Sequence, residues 1–399
     1  MGPVLDIDAL IGDPQTRIIV CCGAGGVGKT TTAAALGLRA AESGRRVVVL
    51  TIDPARRLAQ SLGLTTLDNT PRPVEDIDHT RGGSLDAMML DMKRTFDEVV
   101  QAHANAEKAE QILANPFYQA VSSSFAGTQE YMAMEKLGQL KLEADLDPDN
   151  PRWDLIVVDT PPSRSALDFL DAPKRLGSFL DGRFIRLLAV PAKAGSRAYL
   201  KVFSAGVNIV TATLTKLLGG QMLTDVQTFV AALDTMFGGF RERADLTYAL
   251  LSDRATAFVV VAAPERDALR EASYFVDRLD EEGMPLAGLV INRVYRVSAP
   301  DLSAARALSA AEELGDQHHG SSSGGSSGGS SAIADSTAIS QGLLRLHAVQ
   351  AEIAARHQVL ARRFMAGHPG IPMVEVPAAS GDIHDLVGLR TVGDALAGH

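Results

Sequence analysis

The chain has 399 residues, of which 46% are hydrophobic and 22% charged, with a formal net charge of −10. This length suffices to bury a sizeable core in one large domain or two ordinary ones, and the acidic balance argues against a chain-wide basic surface for nucleic acid. The only two cysteines, Cys21 and Cys22, are adjacent in an apolar run, which excludes a disulfide framework and favours a reducing compartment.

Short apolar runs alternate along the chain with longer helical patterns. The first run, 18–22, is followed by an alanine-rich helical pattern over 30–43. Further runs predict strands over 46–52, 153–160, 256–263, 285–292 and 371–376, with a helix over 267–282. These runs are rich in β-branched residues and lack polar alternation, so they indicate strands buried on both faces of a doubly wound, mostly parallel α/β sheet.

Two long stretches, about 90–145 and 165–250, interrupt this alternation with helical patterns and predict an inserted helical subdomain. Methionines such as Met88, Met89 and Met132 gather there, and they suit either a plain helical core or an adaptable binding groove. Residues 320–331 are only glycine and serine, which predicts a flexible linker. After it, 336–399 is expected to add a helix, a strand and a helix to the sheet domain.

A complete G-x-x-x-x-G-K-[ST] motif, the Walker A motif or P-loop, lies between the first predicted strand and the first predicted helix. Glycines let successive N–H groups turn toward phosphate oxygens, and the start of the helix adds a favourable dipole. Lys29 is expected to reach the β- and γ-phosphates of ATP, and the Thr30 hydroxyl to ligate Mg²⁺. The residues predicted to bind ATP or ADP here are Gly23, Gly25, Gly26, Val27, Gly28, Lys29, Thr30 and Thr31.

Two aspartates follow predicted strands, at the sheet edge where open α/β sheets bind their ligands. Asp159 has the position of a Walker B acid, which supports the metal, and Asp53 ends the 46–52 run. Phosphoryl transfer needs such an acid and a group that positions the attacking water, so Lys29, Asp53 and Asp159 are the predicted catalytic residues. Each aspartate also has a structural interpretation: Asp159 as a strand-end residue, Asp53 as a helix N-cap before Pro54.

The P-loop, the Asp53-Pro54-Ala55 turn and the turn that begins Asp159-Thr160 together resemble the ArsA/Get3 branch of the SIMIBI class of P-loop NTPases. The resemblance covers most of the chain, including the helical insertions, and extends to the paired actinobacterial "anion-transporting ATPase" proteins. It implies a single ATPase domain over 1–399 that includes the helical subdomain. The P-loop alone would also fit the ParA/MinD and nitrogenase iron-protein relatives.

The resemblance also implies roles by position. Asp53 would lie in switch I, orient the hydrolytic water and contact Mg²⁺ through water. Asp159 would open switch II and hold Mg²⁺ through water, while Asn292 would read the adenine edge. The residues that would frame the nucleoside are Pro264, Glu265 and Pro377.

Ala24 departs from the branch, whose members usually carry a lysine here that reaches the nucleotide of the partner subunit. Alanine supplies no charge in trans, and loss of such a group costs several orders of magnitude in phosphoryl transfer. Three interpretations stay open: a paralogous partner that keeps the lysine, which we prefer, replacement by another cation, or slow turnover. The candidate replacement cations are Arg56, Arg57 and Arg164.

The sequence therefore predicts an Mg-ATP-hydrolysing switch, a homodimer or preferably a heterodimer with a paralogous ATPase, that binds or releases an unidentified protein client. The alternative is a regulatory nucleotide-binding subunit with little hydrolysis of its own; ParA-like positioning on nucleic acid is disfavoured. Two adjacent cysteines fit neither structural zinc nor an arsenite site. We expect a cytoplasmic protein, because neither a signal-peptide pattern nor an apolar stretch of about 18 residues is seen, and peripheral membrane association stays open.

Overall fold

The computed structural model describes residues 2–52, 57–122, 128–147, 149–161, 243, 245–321 and 330–398. Within these ranges the chain forms an eight-stranded sheet with helices around it. The strands are β1 (Ile18–Cys22), β2 (Arg46–Thr51), β3 (Arg72–Pro73), β4 (Ser84–Met89), β5 (Leu155–Asp159), β6 (Thr256–Ala262), β7 (Leu286–Val294) and β8 (Met373–Pro377). The helices are α1 (Ile7–Gly12), α2 (Lys29–Glu42), α3 (Arg57–Ser61), α4 (Met92–His103), α5 (Ala106–Leu113), α6 (Pro116–Ser122), α7 (Thr128–Asp145), α8 (Arg266–Glu281), α9 (Ala304–Ser321), α10 (Ser330–Gly367) and α11 (Leu386–Leu396).

The sheet grows in both directions from β1. Its strand order is β3-β4-β2-β5-β1-β6-β7-β8, and all neighbours pair in parallel except β3, which pairs antiparallel with β4. Parallel neighbours need crossover connections, which the helices between the strands provide. The predicted class, a doubly wound and mostly parallel α/β sheet, is confirmed.

The central strands are buried on both faces. All five residues of β1 are buried, and successive residues belong alternately to two apolar clusters. One cluster includes residues of α4, α7 and α8, and the other includes residues of α2 and α11. Burial of a valine, leucine or isoleucine side chain in such a layer stabilises the fold by about 1.5–3 kcal/mol, so the two layers hold the ends of the central strands in fixed positions.

β4 and β3 are strands that the sequence patterns did not predict. β4 pairs with β2 and contains Met88 and Met89, so these two methionines lie in the sheet and not in the helical insertion. Met88 is fully buried, and Met132 and Met134 of α7 are each 1% exposed. For these three side chains the structure supports a core role over a flexible groove.

Helices α4–α7 occupy most of the 90–145 interval, whereas the predicted helical stretch 165–250 lies outside the described residues as far as 242. α9 extends to Ser321 and α10 begins at Ser330, so both ends of the predicted 320–331 linker are helical. α9 and α10 pack against each other. None of the helices within the described ranges combines the length and the apolar character needed to cross a bilayer.

Candidate functional site

The loop between β1 and α2 has three glycines in backbone conformations that other residues rarely adopt: Gly23, Gly26 and Gly28 have φ values of 144°, 76° and 96°. A Cβ atom at Gly23 would lie 2.1 Å from the Val261 carbonyl oxygen of β6, and one at Gly28 would lie 2.2 Å from Asn292 Nδ2 of β7. A Cβ at Gly26 would meet nothing within 4 Å. Both ends of the loop therefore contact the sheet closely and its middle is open, as a phosphate-binding loop requires.

Lys29 places a cation inside this loop. It is the first residue of α2 and only 5% exposed, and its Nζ donates a hydrogen bond to the carbonyl oxygen of Ala24 at 2.8 Å. The N-cap of α2 is Gly28, so no side chain competes for the first amide groups of the helix. The Lys29 side chain and the first amides of α2 therefore converge where a polyphosphate would lie.

Asp159 ends β5 and is fully buried between the ends of β1 and β2. Its Oδ2 accepts hydrogen bonds from the hydroxyls of Thr30, at 2.7 Å, and Thr51, at 2.8 Å. The strand register places Cys21, Asp159 and Thr51 in one row across β1, β5 and β2. The structure thus brings together the two side chains, Thr30 and Asp159, that the sequence assigned to one metal site.

Two threonines of this site were missed in the sequence. Thr51 donates to Asp159, and Thr160 donates from its hydroxyl to the carbonyl oxygen of Cys21 at 2.9 Å. Both are 1% exposed. The available signal was a single hydroxyl at the end of an otherwise apolar run. The resulting set of hydroxyl and carboxylate oxygens fits Mg²⁺, which prefers oxygen ligands.

Asn292 lies in β7 and contacts the P-loop directly. Its Nδ2 donates to the carbonyl oxygen of Val27 at 2.9 Å, and its Oδ1 accepts from the amide of Arg293 at 2.9 Å. Arg293, whose amide donates this second hydrogen bond, has a φ of 62°, a left-handed conformation. Asn292 therefore connects the end of β7 to the loop that starts α2.

The three residues predicted to frame the nucleoside lie at the same edge of the sheet. Pro264 is buried just beyond β6, and Glu265 is the exposed N-cap of α8. Pro377 ends β8 and pairs in register with Val294 of β7. All three residues therefore lie at the edge of the sheet that also carries Asn292.

Several predicted residues are not placed. Asp53, Arg56 and Arg164 lie outside the described residues, and so do the proline and alanine that follow Asp53. Arg57 begins α3, but its side chain is not described. Of the catalytic residues predicted from the sequence, the structure places Lys29 inside the P-loop and Asp159 within hydrogen-bond distance of the adjacent Thr30.

Comparison with known proteins decides the family. A sequence model described as "Anion-transporting ATPase", the ArsA ATPase family, matches residues 16–313. The chain belongs to the ArsA ATPase family. Among similar proteins, ATPase GET3B of Arabidopsis thaliana is 24% identical over 312 residues, which cover 75% of this chain and 69% of that protein. ATPase BagA of Mycobacterium tuberculosis is 28% identical over 170 residues, which cover 42% of this chain and 48% of that protein.

Membership of the ArsA ATPase family makes the chain an ATPase and confirms the resemblance drawn from its motifs. The geometry around Lys29 and Asp159 agrees with that activity. Neither cysteine is suited to thiol chemistry: burial raises the pKa of Cys22 to about 12 and, together with the charge of Asp159, raises that of Cys21 well above its usual value. Buried neutral thiols of this kind are packing groups.

Ala24 is integrated into the core of this ArsA ATPase. The residue is 7% exposed and belongs to the apolar cluster that contains α2. Its carbonyl oxygen, and not its side chain, contacts Lys29. The contact of Lys29 within its own loop therefore does not depend on which side chain occupies position 24.

Proposed function

We propose that the chain is a Mg-ATP-hydrolysing switch of the ArsA/Get3 type, which works as a dimer with a paralogous subunit and couples turnover to binding or release of a protein client. The single observation that carries the nucleotide part is the 2.7 Å hydrogen bond between Thr30 and Asp159 beside the buried Lys29. This contact joins the Walker A threonine to the strand-end acid in the arrangement that phosphoryl transfer needs.

In this proposal, Lys29 exchanges the Ala24 carbonyl for the β- and γ-phosphate oxygens of ATP, a stronger, charge-assisted partner. The amides of the P-loop, from Gly23 to Thr31, bind the phosphate chain, and the open middle of the loop at Gly25 and Gly26 admits it. The residues that would hold Mg²⁺ are Thr30 directly and Asp159 and Asp53 through water. When bound, Mg²⁺ neutralises charge on the phosphate oxygens.

Asp53 would orient the attacking water, and its position in the sequence, two residues after Thr51, the last residue of β2, supports this role. Asn292 would read the adenine edge, with Pro264, Glu265 and Pro377 around the nucleoside. The hydrogen bond from Asn292 to Val27 supports a site in which the base and phosphate ends are coupled through one side chain. The nucleoside would thus lie over the carboxyl ends of β6, β7 and β8.

Ala24 supports the heterodimer over a homodimer. A buried alanine offers no charge to the site of a partner subunit, so in a homodimer neither site would receive a lysine in trans. A paralogue that keeps the lysine would supply it to this chain, whose own Lys29, Asp53 and Asp159 would then act in cis.

The same observation favours a second candidate, a regulatory subunit that binds nucleotide and hydrolyses little of it. ATPase rates of the wild type, Lys29→Ala and Asp53→Asn, each alone and mixed with the paralogue, separate the two. Lys108→Ala, which changes an exposed lysine on α5, is the matched control. We expect the control to equal the wild type, both site variants to lose at least about a hundredfold in rate, and the paralogue to raise the wild-type rate.

A wild type as slow as both site variants, even with the paralogue, would favour the regulatory subunit. Absence of a heterodimer in size-exclusion chromatography would refute the pairing. The client is identified by capture on the ATP-loaded Asp53→Asn variant, with Lys29→Ala as the variant that should not retain it. Fractionation of the same cells tests whether the complex is cytoplasmic or peripheral at a membrane.

A further inference from the structure

A cavity of about 440 Å³ lies between the first turns of α8 and the last turns of α10, and none of its lining residues belongs to the P-loop. Three arginines line it: Arg266 and Arg270 from α8, and Arg363 from α10. Arg270 pairs with the exposed Asp267 at 3.0 Å. In the part of the chain that the structure describes, neither Arg266 nor Arg363 has a carboxylate within 4.0 Å. Two guanidinium groups thus face one groove without an ion-pair partner in these ranges.

One end of the groove is closed by a fixed pair of polar side chains. Ser273 Oγ and His368 Nε2 are 2.6 Å apart. The imidazole of His368 lies against the Phe364 ring, with the ring centroids 4.8 Å apart, and its Nδ1 is 3.8 Å from Oδ1 of Asp277. These contacts hold a hydroxyl and a ring nitrogen where a ligand between the two helices would meet them.

The groove also has an apolar floor. It consists of Leu269 and Phe364, which are 6% and 7% exposed, and the half-buried Leu360. A bare inorganic ion would leave this floor in contact with water, whereas an alkyl chain would cover it. Guanidinium groups bind phosphate and carboxylate oxygens in pairs of parallel hydrogen bonds. The two features together select a ligand that is anionic at one end and apolar at the other.

We propose that this groove binds an amphipathic anion: a phosphate or carboxylate group held by Arg266 and Arg363, with a short apolar chain on the floor. Both walls lie near the candidate nucleoside site. Glu265 immediately precedes Arg266, and His357 of α10 accepts a hydrogen bond from the amide of Tyr295 at 3.2 Å, beyond the end of β7. If the proposed nucleoside site is correct, the anion and the nucleotide change each other's affinity by the same factor.

The test follows the His368 ring by NMR in the full chain saturated with Mg-ADP, which occupies the P-loop and keeps phosphate from it. The signal is assigned with His368→Gln. The probes are butyl phosphate, butyrate, inorganic phosphate and butanol. We expect saturable shifts with butyl phosphate and butyrate, binding of butyl phosphate at least about tenfold tighter than inorganic phosphate because about two methylene groups are buried, and no shift with butanol.

The double variant Arg266→Gln/Arg363→Gln should bind butyl phosphate at least about tenfold more weakly. Arg363→Gln is measured beside it, so that a folding defect in the double variant still leaves a result. Arg362→Gln is the matched control, because this neighbouring exposed arginine does not line the cavity. Unchanged affinity in Arg363→Gln, an equal loss in Arg362→Gln, or no saturable shift in the wild type would overturn the proposal.

Vesicles distinguish the source of the anion. Cosedimentation with phosphatidic acid vesicles, but not with phosphatidylcholine vesicles, that is lost in Arg363→Gln would identify a lipid headgroup. Binding of butyl phosphate without such cosedimentation would identify a soluble ligand. A failure of Lys29→Ala to lose ATPase activity would contradict the proposed function but leave this binding result unaffected, so the two failures are distinguishable.

Discussion

Replacing Thr51 by valine tests whether its hydroxyl stabilises the buried Asp159. Valine keeps the shape of threonine and removes a donor that lies 2.8 Å from Oδ2 of Asp159. Bulk solvent does not reach this hydrogen bond without nucleotide, because Asp159 is 0% and Thr51 1% exposed. A hydrogen bond to a charged group contributes about 1.5–3 kcal/mol, so the free energy of unfolding should fall by that amount.

Thr160→Val is the matched control. Its hydroxyl donates to the neutral carbonyl oxygen of Cys21, which also accepts from the Thr160 amide at 3.2 Å. This acceptor therefore keeps a donor, and the expected loss is only about 0.5–1.5 kcal/mol. Both variants are unfolded in urea at pH 7 without nucleotide and followed by circular dichroism. Equal losses in the two variants would refute the claim that Thr51 acts on a charged group.

Three further predictions concern the loop, the thiols and the edge near α10. Gly26→Ala should lower the free energy of unfolding by about 1 kcal/mol, because of the positive φ alone. Gly23→Ala should lower it clearly more, because the new Cβ would lie 2.1 Å from a backbone carbonyl oxygen of β6. Equal melting temperatures of the two variants would contradict this. Cys22 should not react with Ellman's reagent at pH 8 in the folded chain, and rapid labelling of the native chain would count against this. Burial raises the pKa of Cys22 from 9.0 to about 12, so as the pH rises the unfolded state releases this proton first. The free energy of unfolding should therefore fall between about pH 9 and 12. Burial lowers the pKa of His357 and the charge of Glu265 opposes that shift, so Glu265→Gln should move the NMR titration midpoint of His357 further down. An unchanged midpoint would show that the Glu265 charge does not act on His357.

The core of the sheet could be predicted because its strands are continuous apolar runs. The predicted run 18–22 coincides with β1, and the run 153–160 contains β5 (Leu155–Asp159) with a few residues to spare. β4 was missed because only three of its six residues, Leu85, Ala87 and Met88, are buried, and because it includes Asp86, whose carboxylate accepts from Trp153 Nε1 at 2.8 Å. Because Asp86 is needed for this contact with a distant indole, the sequence of β4 is not a continuous apolar run.

The candidate site also has a part that the sequence predicted and a part that it could not. The motif and the strand end predicted Thr30 and Asp159 separately, and the parallel register of β1, β5 and β2 brings them into contact. Thr51 could not be assigned in advance, because its role depends on which strand β2 adjoins. Asn292 was predicted at the right edge, yet its bond to Val27 across 265 positions of sequence is set by the packing of β7 against the loop.

The hairpin of α9 and α10 has a consequence for how the molecule could be divided. It leaves the sheet after β7 and returns to pair β8 beside it, and α11 then docks on α2 through ion pairs from Arg390 to Glu42 and from Arg39 to Asp394. A break between Ser321 and Ser330 would leave two pieces that meet only through noncovalent contacts. One piece carries the P-loop, and the other supports the helix that starts at Lys29. The fold is thus suited to fragment complementation, with recovery of nucleotide hydrolysis as the signal that the halves have reassembled.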